Sequence, residues 1–92
     1  MMERDFMTPG PTIRVGLRFR RSSARPLQNI ANRIRAGELP HQAVSTFELA
    51  ADAARTGEPL IVECKHPMEA QLMAAGYVRF GVAMPAIETL TG

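Results

Sequence analysis

The sequence predicts an α/β (α+β) domain, a two-layer sandwich in the order β-α-α-β-α-β whose three-stranded sheet is covered by helices on one face. Three observations carry this prediction. One segment alternates apolar and basic residues as a half-buried strand does, and three later segments show helical apolar spacing or helix start and stop signals. The 92 residues suffice for one hydrophobic core, whereas two would each fall near the limit of independent stability. The chain accordingly divides into an N-terminal arm over 1–11, a single domain over 12–84 and a tail over 85–92.

The arm holds Pro9, Gly10 and Pro11 and has no period. In TIRVGLRFR, Ile13, Val15, Leu17 and Phe19 alternate with Arg14, Gly16, Arg18 and Arg20, which predicts a strand from Thr12 with one buried face. Ser22 and Ser23 offer capping oxygens, Pro26 suits a first helical turn, and Leu27, Ile30, Ala31 and Ile34 follow at i, i+3, i+4 and i+7. Gly37 is placed to end that helix. Ser45-Thr46-Phe47-Glu48 matches a capping box and opens a second helix running to Gly57, with Phe47, Ala50, Ala51 and Ala54 on its core side. Leu60-Ile61-Val62-Glu63-Cys64 reads as an inner strand. Pro67 opens a third helix that Gly76 would close, and Tyr77 to Ala83 alternates as a final strand. The segment AIETLTG is too short to assign.

The net charge of +2 conceals an asymmetry. Residues 1–35 carry eight arginines against Glu3 and Asp5, a net +6, whereas residues 36–92 carry three bases against seven acids, a net −4. Ten of the eleven bases are Arg, whose planar fork suits bidentate contact with phosphate better than the Lys ammonium does. A GC-rich genome would also favour Arg codons.

With the apolar sides of the first and last strands turned to the helices, Arg14, Gly16, Arg18, Arg20, Tyr77, Arg79 and Gly81 share the open face. Same-face residues repeat at about 7 Å along a strand, so the arginines would meet neighbouring phosphates while Gly16 admits an extended backbone. Arg21, Arg25 and Arg33 extend this stripe onto the first helix, where Gln28, Asn29 and Asn32 offer hydrogen bonds. The bland alternative is a solvated charged face whose arginines pair with Glu63 or other acids. Charge segregation and the absence of alternating signs favour a polyanion-binding surface. With Tyr77 as the one aromatic platform, base stacking is limited and backbone contact is expected, to RNA ahead of duplex DNA or to a ribonucleoprotein. The second expectation is a protein-interaction module that binds an acidic protein surface without nucleic acid.

No reaction accompanies this surface. Cys64, His66 and His41 lack paired metal-ligand spacing, and there is no phosphate-binding loop, dinucleotide fingerprint or nucleophile elbow. No enzyme activity, metal, cofactor or small-molecule substrate is expected. No apolar run approaches the roughly 20 residues that cross a bilayer, and the single Cys64 suits a reducing compartment, so a cytoplasmic protein without a membrane partner is expected.

In length and in the basic segment TIRVGLRFRRSSAR, the chain resembles small accessory proteins of phages and plasmids. Among these it is similar in size and charge to anti-CRISPR proteins that dock on a guide-RNA complex. That resemblance implies contact with RNA backbone and protein together, and inhibition by blocking target DNA through occupancy. It assigns no role to any individual residue.

Overall fold

The computed structural model describes residues 12–40 and 44–90. The expected arm over 1–11 and His41 lie outside the described residues. The architecture is α+β, with three α-helices and one three-stranded antiparallel sheet among the described residues. The elements in chain order are β1 (Ile13–Arg18), a 3-10 turn (Arg21–Ser23), α1 (Ala24–Arg35), α2 (Val44–Thr56), β2 (Leu60–Cys64), α3 (Pro67–Val78) and β3 (Ala86–Leu90).

β1 is the central strand, paired on one side with β2 and on the other with β3. Leu17 lies opposite Leu60 and Ile87, Val15 opposite Val62 and Thr89, and Ile13 opposite Cys64. Directly opposed residues project to the same face of an antiparallel pair, so these side chains form the helix-facing side. Val15, Leu17 and Cys64 are fully or almost fully buried there. α3 lies across all three strands, α2 touches β2, and α1 packs behind on α2 and the 3-10 turn. Leu27, Ile30, Ala31 and Ile34 of α1 and Phe47, Ala50, Ala51 and Ala54 of α2 are buried as their spacing predicts. Alanines at the seam let the two helices approach closely.

Several local expectations change. Gly37 does end α1, with φ +77°. Its N–H donates to the Ile34 carbonyl at 3.0 Å and the Glu38 N–H to the Arg33 carbonyl at 2.9 Å, the two bonds of a Schellman stop. The same device reappears at Gly81, where the Gly81 N–H donates to Val78 and the Val82 N–H to Tyr77. Gly81, and not Gly76, therefore closes the third helix. Tyr77 and Val78 are its last turn, so no strand spans 77–83. The third strand is β3, within the segment first read as a tail. Nor is β2 an inner strand: β1 takes that place, because β3 returns to its other side. Ser45 lies in the first turn of α2, whose cap position falls outside the described residues, and Glu48 pairs with Arg35, tying α2 to α1.

Gly16 is buried, because Pro59, just before β2, and Glu88 of β3 close over it. A Cβ there would stand 2.9 Å from the Pro59 Cβ and 3.2 Å from the Glu88 Cγ. The bare backbone thus serves contact within the sheet and admits no ligand strand. Gly16→Ala is expected to cost about 1–3 kcal/mol by overpacking, read as a lowered urea midpoint; unchanged stability would show that the flanking strands yield freely.

Candidate nucleic-acid interface

The open face of the sheet is set by the same register. Arg14 stands opposite Glu63 and Leu90, Gly16 opposite Ile61 and Glu88, and Arg18 opposite Ala86. Arg18 donates from Nη2 to the Glu88 carboxylate at 3.0 Å and from Nη1 to the Gly57 carbonyl at 2.6 Å. Two arginines therefore share this face with two carboxylates. The expected basic stripe along the strand does not form: β2 and β3 each bring an acid to it. An exposed pair such as Arg18–Glu88 contributes about 0–1 kcal/mol to stability, so its main effect is to cancel charge locally.

The uncompensated charge lies one step further along the chain. β1 ends at Arg18, Phe19 turns into the core, and Arg20 stands exposed in extended conformation before the 3-10 turn. Arg21 lies against the turn at Gly57, its Nη2 3.9 Å from where a Cβ would sit on that glycine. Arg18 and Arg21 thus converge on one turn, with Glu88 paired to the first. Glu58, exposed beside Gly57, is a nearby acid that forms no ion pair among the described residues.

α1 continues this corner. Its buried residues fix one side, and a rotation of 100° per residue puts Arg25, Asn29 and Asn32 at the middle of the opposite side, with Gln28 and Arg33 flanking them. Gln28 donates to the Asn32 side-chain oxygen at 3.2 Å, and Arg33 pairs with Glu38 at 3.5 Å. Arg20, Arg21 and Arg25 pair with no described carboxylate. Ser23 precedes α1 without a side-chain capping bond and is buried. From Thr12 to Gly37 the sequence holds seven arginines and no acid.

Of the residues predicted for the site, the structure gathers Arg20, Arg21 and Arg25 at the strand-to-helix corner, and Gln28, Asn29, Asn32 and Arg33 continue from it along the outer side of α1. Arg18 borders it. Arg14 lies at the far end of β1, about 13 Å from Arg18 by strand rise, beside Glu63. Arg79 is exposed in the turn after α3 and does not lie on the sheet.

Tyr77 is buried and offers no stacking surface. Its ring meets Phe19 edge-on at 5.0 Å and Phe47 at 5.5 Å, and Phe47 meets Phe80 at 5.1 Å. All four described aromatics belong to this chain of edge contacts, whose geometry suits the ring quadrupoles. Burial pushes the Tyr77 phenol up to about 12. The unfolded phenol ionises first, near its ordinary value of about 10, so above that pH the unfolded state binds fewer protons and stability falls. Folding stability attributable to Tyr77 is expected to be constant below about pH 10 and to decline toward pH 12. Since the chain has one Tyr and no Trp, near-ultraviolet absorbance titrates this phenol alone. An ionisation midpoint at the ordinary value in folded protein would contradict the burial.

Burial and, secondarily, the Glu69 carboxylate push the Cys64 thiol up, away from the reactive thiolate. Among the described residues no group of three or more His, Cys, Asp or Glu is arranged to hold a metal ion, and no helix is long and apolar enough to cross a membrane. No family model, curated protein or solved structure matches the chain.

Proposed function

We propose that the protein is a non-enzymatic binder of nucleic-acid backbone, taking single-stranded RNA ahead of duplex DNA, either free or as part of a ribonucleoprotein. One observation carries this reading: the acid-free segment from β1 through α1 holds at its strand-to-helix junction three exposed arginines, Arg20, Arg21 and Arg25, that pair with no described carboxylate. Guanidinium forks pair bidentately with phosphate oxygens, and Asn29 and Asn32 offer further hydrogen bonds along the same side. A flexible single strand bends around a corner joining a strand end to a helix start, which a stiff duplex meets along one line only. Burial of Tyr77, the one aromatic expected on this surface, points to sequence-tolerant binding. In its most specific form, the corner contacts guide-RNA backbone on a CRISPR complex of a phage host and excludes target DNA by occupancy.

The test is binding of a labelled single-stranded RNA oligomer across a salt series. Association should weaken with salt, with log K falling by about 0.7 per phosphate contact for each decade. Binding that ignores salt would overturn the reading. Association with an acidic protein that persists after nuclease treatment would replace it with the protein-module alternative.

A further inference from the structure

A second surface of the molecule is apolar where a solvated face should be polar. α3 contains one charged residue, Glu69, in twelve, and its buried side is a narrow stripe of Ala70, Ala74 and Tyr77. Helical rotation therefore turns Met68 and Leu72 outward as a crest, about two-thirds exposed each, while Met73 and Gly76 turn toward α2. Between α2 and α3 runs an open groove of about 410 Å³. Leu49 and Phe47 form its α2 wall, Met73 and, just past the helix end, Phe80 its α3 side, and Leu60 and Val62 of β2 part of its floor. Leu49, Met73 and Phe80 are exposed although apolar.

Crest and groove are continuous through Leu72 and Met73, and together they leave on the order of 500 Å² of apolar side-chain surface in water. That is near the upper limit for a single patch on a soluble monomer. We propose that the occupant is a second copy of this chain. The two copies are related by a twofold axis, with the α3 crest of each inserted into the α2–α3 groove of the other.

Three features favour self-association over a different partner. The surface carries both a projecting crest and a recess, so it is complementary to itself, as an isologous interface must be. Counting both crest-in-groove contacts, the buried area reaches about 1,000 Å² in total, the lower limit of specific interfaces, without any further element. The crest lies on the first half of α3, next to the Cys64 end of β2, whereas Arg20 and Arg21 follow the opposite end of β1. The groove reaches the Leu17–Leu60 end near those arginines, so each copy sets the uncharged crest of the other, and not its arginines, beside its own positive region.

The test is sedimentation equilibrium of the full chain from low micromolar to several hundred micromolar concentration. The expected mass rises toward twice the 10.1 kDa of one chain. Leu72→Glu on the crest and Leu49→Glu on the groove wall should each weaken association at least tenfold, with unchanged circular dichroism because both side chains are exposed. Arg25→Glu should leave it intact. An equimolar mixture of the two leucine variants should associate more tightly than either alone, since the heterodimer regains one unaltered crest in one unaltered groove. Monomer at every concentration would overturn the proposal, as would a dimer indifferent to Leu72→Glu or a mixture with no gain.

Discussion

Leu17→Ala is expected to remove about 3–5 kcal/mol of folding stability, the range for a large aliphatic residue truncated in a core that cannot collapse around the gap. Leu17 is completely buried near the end of the central strand, between Leu60 and Ile87 on its two neighbours and beneath α3. Backbone pairing on both sides holds β1 in place, so the strand cannot move inward to fill the void. For a domain of this size, total stability is on the order of 5–14 kcal/mol, and the variant would keep only a fraction of it. A urea titration followed by circular dichroism reads the change as a shift in midpoint at constant slope. A loss below about 1 kcal/mol would show that the region around Leu17 is loosely packed.

Simultaneous replacement of Arg20, Arg21 and Arg25 by Ala is expected to lower affinity for single-stranded RNA about a hundredfold at 0.1 M salt. It should also reduce the salt slope by about 2, the effect of three lost phosphate contacts. None of the three pairs with a described carboxylate, and all three are exposed, so the fold should be retained. The contrasting variant is Arg14→Ala with Arg18→Ala. Those arginines stand among Glu63 and Glu88, and removing them leaves two acids on a face that was near neutral. Its effect on binding should be several times smaller. Equal losses in the two variants would return the binding surface to the open face of the sheet.

The sequence pattern located β1, both faces of α1 and the core side of α2 because each depends on local periodicity. It misplaced the third strand because two glycines competed for one helix end. Gly76 sits at a plausible stop, yet Ala70, Ala74 and Tyr77 continue at i, i+4 and i+7 straight through it, and the left-handed turn falls at Gly81. The alternation of Val78, Phe80 and Val82 arose from a helix end followed by a turn. β3 gave a fainter signal, Ile87 and Thr89 on one side of Glu88 after Pro85.

These two errors carried over to the site. Moving the last strand to 86–90 took Tyr77 and Arg79 off the sheet and put Glu88 beside Arg18, so the strand stripe lost its excess charge. The arginines that stay uncompensated were already in the pattern, at the junction of strand and helix. What the pattern lacked was the pairing register that assigns each acid to a partner. The apolar crest of α3 could have been suspected from twelve residues with one charge, but its exposure depends on which side the sheet covers.

The position of β1 between β2 and β3 governs how the chain can reach its native state. The first strand made has no hydrogen-bonded neighbour until β2 arrives more than forty residues later, and its second flank stays open until β3, some seventy residues away. Closing such long loops has to precede any gain from pairing, which places this domain among slow folders for its length. During synthesis the apolar side of β1 must shelter against the early helices or remain available to other chains. Overproduction at high temperature would therefore deplete soluble protein through partly made chains, well below the temperature at which the finished molecule melts.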